Sequence, residues 1–364
     1  MSAAYRCFAS CAFGLEAVTA RELKNLKFND VAARDARVYF LADEAGIARA
    51  NLWLRTADRV YIELAVFPAE TFDELFEGVR ALRWSDYIPK DAAFVVNADS
   101  AHSRLGSVSD IQSVGKKAVA VSLMKGHRVS VLPETGARYD IHLKLLRDTV
   151  SVCLNTSGQG LNRRGYRVAN VAAPMRETLA AGLVLLSGWH GDALADPMCG
   201  SGTIPIEAAM IGSNMAPGLK RAFDAEAWPG VTRAGREERD AAEPQRSAET
   251  PVIYASDIDP KAVSAADRNA RAAGVDIRVF KADVRDFSRT DCLGLANPPY
   301  SQRLGEREAV HRLYTDMGRA LAGVDRKCII TADESFERYF GSRATKKRKL
   351  YNGNIRCTFY QYYR

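Results

Sequence analysis

Apolar positions recur along this chain with two different periods, and the alternation between them divides it into units. Residues 4–12 read as a strand, after which Leu15, Val18, Leu23 and Leu26 fall at helical spacing with polar residues between them. Short strands are predicted at Val31 and Val38–Leu41, and a helix over Glu44–Arg55, which together make a small α+β unit. From Asp58 to about Ser157 the alternation starts again. The pattern predicts a strand over Arg59–Phe67, a helix over Thr71–Arg83, a strand over Ala93–Ala98, a helix over Ser109–Lys125, and mostly strand over Tyr139–Asn155.

The pattern then changes. Gly158-Gln-Gly-Leu-Asn-Arg-Arg-Gly-Tyr-Arg167 packs three glycines and three arginines into ten residues, which predicts a bend presenting its arginines outward. A helical run follows over Met175–Trp189, with Leu179, Leu183, Leu185 and Leu186 on its apolar side, and then a strand at Ala193–Ala195 and a helix over Ile204–Ile211. Residues 212–250 read as an insertion, lid-like and ordered in its apolar first half and exposed and mobile in its densely charged second half. Strands are predicted at Val252–Ser256, Ile277–Phe280 and Cys292–Ala296, separated by a helix over Pro260–Ala273. The chain closes with a helix over 306–322, a strand over 327–332, a helix near 334–341 and a hairpin turning at Tyr351-Asn-Gly-Asn354.

Four of these predicted strands end in groups with chemical potential. The first runs into Asp196-Pro-Met-Cys-Gly-Ser-Gly-Thr203, where glycines at a strand-to-helix turn let backbone approach a ligand while the helix amino terminus faces it. The spacing is neither Gly-x-Gly-x-x-Gly nor a phosphate loop, which argues against nicotinamide and nucleoside triphosphate sites. The second ends at Asp257-Ile-Asp259, where an acid suits the hydroxyls of a ribose, and Asp259 also suits a helix cap. The third ends in Ala282-Asp-Val284, and the fourth in Asn297-Pro-Pro-Tyr300. Two prolines stop the strand and hold a rigid bend, offering a side-chain amide and a carbonyl as acceptors beside an aromatic ring. Such a bend suits a planar group bearing an exocyclic amine, although taken alone it is also an ordinary turn.

Composition narrows the classes without choosing among them. The 364 residues suffice for two or three cores, 47% hydrophobic and 26% charged content is that of a globular protein, and a net charge of +7 favours a polyanionic partner. Seven scattered cysteines, with no Cys-x-x-Cys pair, predict neither a disulfide framework nor a zinc cage. His102 and His127 lack partners at ligand spacing, so no metal is expected. Neither a leader nor an apolar run of about 18 residues is read, and the expected location is the cytoplasm with no membrane contact. The polar, basic stretch from Ser100 to Gly106 and the later Lys116, Lys117, Lys125 and Arg128 could track a phosphate backbone or form a solvated face.

Asp196–Thr203, Asp257–Asp259, Asp283, Asn297–Tyr300, Leu161-Asn-Arg-Arg-Gly-Tyr-Arg167 and Lys349-Leu-Tyr-Asn-Gly-Asn354 together resemble the THUMP-domain class I S-adenosylmethionine-dependent RNA guanine-N2 methyltransferases, which act on 23S ribosomal RNA or tRNA. The resemblance implies an α/β, Rossmann-like domain with a mostly parallel sheet and an antiparallel carboxy-terminal hairpin, preceded by ferredoxin-like and THUMP parts that bind RNA. Boundaries are then expected at 1–56 (ferredoxin-like), 57–157 (THUMP-like), 158–174 (linker) and 175–364 (transferase domain with the 212–250 insertion).

By the same resemblance, Asp196 with Cys199, Gly200, Ser201, Gly202 and Thr203 would hold the methionine part of S-adenosyl-L-methionine, Asp257 its ribose, and Asp283 with Val284 its adenine. Thr178, Ile258 and Asn297 complete the implied cofactor set. Asn297 and the Pro298 carbonyl would accept from the target amine, with Pro299 in the same rigid bend and Tyr300 stacking on the base. Arg104, Lys116, Lys117, Arg163, Arg164 and Arg167 are candidate RNA contacts. Cys199 is expected to pack within the cofactor loop and not to act as a nucleophile. Amino-methylation of DNA adenine or of a protein glutamine, and a non-catalytic RNA-binding assembly factor, remain alternatives.

Overall fold

A computed structural model describes residues 4–169, 175–247, 249–300 and 304–363, without the side chains of 304–306. Its strands form two seven-stranded sheets. The first contains β1 (Tyr5–Cys11), β2 (Asn29–Arg34), β3 (Arg37–Ala42), β4 (Ala57–Pro68), β5 (Ala93–Ala101), β6 (Arg138–Leu146) and β7 (Thr149–Asn155). Their order is β2-β3-β1-β4-β7-β6-β5, antiparallel throughout except between β5 and β6.

The two amino-terminal units expected from the pattern share this sheet. Residues 57–62 of β4 pair with β1 and residues 61–68 pair with β7, so the expected boundary at 56/57 falls at the start of a strand common to both. Alternation along the strands points Cys7, Ala9, Val60, Ile62, Phe94 and Ile141 into one apolar layer against Leu23, Ile47, Leu75, Val79 and Val119 from the helices. The helices start where sequence chemistry allows. Asp43 accepts the Gly46 N–H (2.8 Å), and Thr71 with Glu74 forms a capping box for Phe72–Arg80. The region read as mostly strand is a hairpin whose two turn residues, Arg147 and Asp148, both have positive φ. That turn lacks the usual Asn-Gly signal, so apolar alternation alone did not locate it.

The second sheet contains β8 (Leu194–Asp196), β9 (Ile253–Asp257), β10 (Arg278–Lys281), β11 (Leu293–Ala296), β12 (Arg326–Thr331), β13 (Lys346–Asn352) and β14 (Ile355–Tyr363). It is ordered β10-β9-β8-β11-β12-β14-β13, with β14 antiparallel to both its neighbours and the other pairs parallel, as the resemblance implies. β8 and β11 are buried throughout, consistent with central strands covered on both faces. The chain leaves β8 toward β9 and β10 on one side and later continues through β11 and β12 on the other. The β8/β11 boundary is therefore the switch point at which such sheets open a crevice. Among the described residues no helix is long and apolar enough to cross a membrane.

Among the described residues, two of the joins between the two halves are extensive. Leu15 and Val18 belong to the transferase core with Leu179, Leu183 and Leu350, so the first helix, Glu16–Asn25, packs across the boundary. The insertion makes the second join, and here the structure departs from expectation. Its apolar first half packs as a strap on the amino-terminal half and not as a lid, while its charged second half, largely exposed as expected, includes a helix over Thr232–Ala242. Trp228 stacks on Tyr139 with ring centroids 4.5 Å apart and planes 6° from parallel, while its indole N–H donates to the Arg138 carbonyl. Arg239 donates to Glu226 (2.6 Å) and to the carbonyls of Gly218, Leu219 and Arg221. The inward positions of this helix, Gly235, Arg239 and Ala242, carry too little apolar area to stand out in a charged sequence.

Candidate active site

The carboxyl ends of β8, β9 and β11 open into a cavity of about 1080 Å³. Asp196, Cys199, Gly200, Ser201, Thr203, Asp257, Ile258, Asp283, Val284, Asn297, Pro298, Pro299 and Tyr300 all line it. The residues anticipated from strand ends dispersed over a hundred positions therefore meet in one place. Gly202 shapes the loop from behind: its φ is +82°, and a Cβ there would sit 3.0 Å from that of Ala266 in the helix Pro260–Ala273.

Backbone donors hold the two acids on the cofactor side differently. Asp257 is half-buried and accepts the Gly200 N–H at 2.9 Å and the Asp259 N–H at 3.0 Å, leaving carboxylate lone pairs for further donors. Asp196 is almost wholly buried and accepts the Met198 N–H at 3.1 Å. Burial pushes its carboxyl up to about 8, against the Met198 hydrogen bond and with a further upward push from Asp257. Such a carboxyl favours a cationic neighbour that restores its charge. Asp283 is held low by the Arg285 side chain, which donates to it at 2.6 Å. Cys199 is buried, with its thiol pushed well up by burial, which suits packing and opposes a nucleophilic role. This set of backbone donors, acids and a large cleft fits a nucleoside bearing a cationic amino-acid arm.

On the target side, β11 stops at Ala296, and the bend that follows is braced from two directions. The Tyr314 hydroxyl, fully buried on the helix Leu304–Ala320, donates to the Pro299 carbonyl at 3.2 Å and lies 3.2 Å from Thr331 Oγ1. Asn352 in the closing hairpin donates to the Tyr300 hydroxyl at 3.5 Å. Among the described residues neither the Asn297 amide nor the Pro298 carbonyl has a hydrogen-bonding partner. Two residues that line the cavity thus keep uncommitted acceptors while their neighbours are tied down. Arg312, Leu313 and Asp316 on the same helix, with Met175 and Ile355, also line it and escaped sequence reading, because a helical face toward a cavity looks like any amphipathic helix.

Some candidates lie elsewhere. Thr178 does not line the cavity; its hydroxyl donates to Asp58 at the start of β4 (3.1 Å) and ties the two halves together. Arg164, read as an RNA contact, is buried with Glu207 (3.3 Å) and also donates to the carbonyls of Leu161 and Arg55. Tyr166 donates to the same carboxylate at 3.1 Å. Arg167 turns inward as well, to Glu177 (2.8 Å), the Met175 carbonyl, Ser201 Oγ (3.0 Å) and Thr203 Oγ1 (3.1 Å), so it braces the glycine loop from beneath. Asn269, unremarked in the sequence, does the same by donating to the Ser201 and Ala169 carbonyls. Arg163 is exposed, as are Lys116 and Lys117; Arg104 is exposed and paired with Glu70. The last five residues of the expected linker, 170–174, lie outside the described residues.

Comparison with known proteins gives a consistent set of likenesses. Residues 164–361 match the family described as RMKL-like, methyltransferase domain, residues 6–61 match the RlmL ferredoxin-like domain, and residues 69–155 match the THUMP domain. The chain is 43% identical over 370 residues to "Putative RNA methyltransferase YpsC" of Bacillus subtilis, covering 99% of this chain and 96% of that protein. It is 33% identical over 386 residues to "Ribosomal RNA large subunit methyltransferase K/L" of Syntrophotalea carbinolica, covering 98% of this chain and 53% of that one. It therefore spans about half the length of the K/L relatives it matches. Among solved structures it is similar to a "predicted N6-adenine-specific DNA methylase" from Listeria monocytogenes, with 43% identity, a TM-score of 0.94 and coverage of 99% and 96%. It is also similar to "SMU.472, a putative methyltransferase complexed with SAH", with 39% identity, a TM-score of 0.94 and coverage of 100% and 99%.

Proposed function

From the premise that this chain belongs to the RMKL-like methyltransferase family, we propose that it transfers a methyl group from S-adenosyl-L-methionine to the exocyclic N2 amine of a guanosine in RNA, with 23S ribosomal RNA as the substrate. The observation that carries this reading is the pair of acceptors, Asn297 and the Pro298 carbonyl, on the wall of the cavity that also holds the glycine loop and the two acids.

The bound donor supplies a methyl group made electrophilic by its sulfonium. Asp257 would accept from ribose hydroxyls with its remaining lone pairs, Asp196 would meet the cationic arm, and Ile258 and Val284 with Asp283 would hold the adenine. An exocyclic amine conjugated with its ring is a poor nucleophile. Two acceptors on its N–H bonds turn the nitrogen lone pair out of conjugation and aim it, and the enzyme's task is then placement and exclusion of water. A guanine inside folded RNA must be turned out to reach this pocket, and stacking on Tyr300 stabilises it there by roughly 1–3 kcal/mol.

The THUMP match and the exposed Lys116, Lys117, Arg104 and Arg163 support RNA over DNA or a protein amide as the carrier of the amine. In this reading residues 1–56 and 57–157 form the RNA-facing half, 158–174 the linker and 175–364 the transferase domain, and the enzyme works in the cytoplasm. A tRNA guanosine is the alternative address.

Nucleoside mass spectrometry of ribosomal and transfer RNA from cells lacking the protein tests the reading. Loss of N2-methylguanosine from 23S ribosomal RNA is expected; unchanged levels in both pools would refute it, and loss from tRNA alone would move the address. For the chemistry, Asn297→Ala should abolish turnover while donor binding by calorimetry persists. Equal loss of both would make Asn297 structural.

A further inference from the structure

The closing hairpin carries more than its brace on Tyr300. Leu350 is fully buried with Leu15 and Val18 of the amino-terminal half, and Arg348 donates to the Gly14 carbonyl at 3.3 Å. Gly14 sits so close that a Cβ there would lie 2.6 Å from the Lys349 carbonyl. The tip of the hairpin is thus locked between the two halves, with Ile355 and Asn352 turned toward the cavity and Tyr300.

The other side of the hairpin faces solvent. Lys349 and Tyr351 alternate on β13, and Arg356 stands opposite Tyr351 on β14. Phe13, from the loop after β1, meets the Tyr351 ring edge-on at 6.2 Å, and the two residues are 58% and 37% exposed. Among the described residues neither Lys349 nor Arg356 has an ion-pair partner, whereas the neighbouring Lys347 is paired with Glu337. Two aromatic rings left in water beside two unpaired cations, at the hairpin whose opposite face reaches Tyr300 and the cavity, complement a polyanion with planar groups.

We infer that Phe13, Lys349, Tyr351 and Arg356 form a composite strip on which the RNA segment flanking the target nucleotide docks, its unpaired bases on the rings and its phosphates on the cations. The inference rests on the RNA reading above and adds its address on the enzyme. Because the strip takes one ring from each half, it couples RNA seating to the fixed arrangement of the halves.

The test uses the full chain and unmodified 23S ribosomal RNA transcribed in vitro, with binding measured across a salt series and methyl transfer from labelled donor measured in parallel. Phe13→Ala with Tyr351→Ala should weaken RNA binding about tenfold or more. Lys349→Ala with Arg356→Ala should lower the slope of log affinity against log salt by about 1.4, since each phosphate contact to a single strand contributes about 0.7. Donor binding by calorimetry and the unfolding midpoint should stay at wild-type values in the charge variant, whose replaced groups are exposed, so a folding defect in the ring variant does not decide the outcome. Wild-type affinity and salt slope in the charge variant overturn the inference, including the case in which the strip instead holds a ribosomal protein. Failure of the wild-type chain to bind or methylate the RNA overturns the RNA reading itself.

Discussion

The Arg164 guanidinium and the Glu207 carboxylate lie 3.3 Å apart with their side chains only 2% and 0% exposed, and Tyr166 donates to the same acid. This pair ties the linker to the helix Thr203–Gly212 that follows the glycine loop. Removing one member of a buried pair strands the other's charge without solvent or counter-ion, a cost of about 3–5 kcal/mol. Arg164→Ala should accordingly lower the denaturant midpoint strongly, and Arg164→Met combined with Glu207→Leu should cost less than the single change. Equal destabilisation by both would mean that packing, not charge, dominates the site.

Asp196 makes stability depend on pH in an unusual direction. Its carboxyl titrates near 8 in the fold and near the ordinary 3.8 once unfolded, so between these values the native chain holds a proton that unfolding releases. Stability from this group is therefore present below about pH 4, declines as pH rises toward 8, and is level above that. Unfolding midpoints from pH 4 to 9 should show this decline in the wild type, and Asp196→Asn should flatten it. A cationic arm docking against Asp196 favours the carboxylate, so donor binding at pH 7 should release protons, read by calorimetry in two buffers of different ionisation enthalpy.

Among the described residues Tyr314 reaches the target loop through the Pro299 carbonyl and touches neither Asn297 nor the Pro298 carbonyl, so it is a positioning residue. Tyr314→Phe keeps the ring and removes the donor. Turnover should fall roughly 10–100-fold with donor affinity unchanged, because a small misplacement of the acceptors is costly while the glycine loop is untouched. Wild-type kcat in Tyr314→Phe would show that the two prolines suffice to hold the bend.

Trp228 is the anchor of the insertion. Trp228→Ala removes the stack on Tyr139 and the bond to the Arg138 carbonyl, a loss of about 3–5 kcal/mol at a buried aromatic. Hydrogen exchange should rise through residues 218–245 and the adjoining β6 while donor binding is retained. Unchanged protection there would assign the clamp to Arg239 and Glu226 instead.

The sequence by itself determined the transferase sheet, its hairpin and the strand-end residues that line the cavity. In a doubly wound parallel sheet each strand ends on the same edge, so reading the residue after each strand amounts to reading one place in space. Asp196, Asp257, Asp283 and Asn297 were recoverable for that reason. Only the tertiary structure decided which arginines face water. A guanidinium serves a phosphate and a buried carboxylate equally well, and the partner of Arg164 lies 43 residues away. The available signal was Glu207, the single charged residue in the otherwise apolar helix Thr203–Gly212. Thr178 was likewise claimed by Asp58 from another unit, and the charged insertion became a strap because its inward face is built from small residues and one arginine. Local pattern reports which side of an element is apolar; a polar group's partner is set by what the fold brings opposite it.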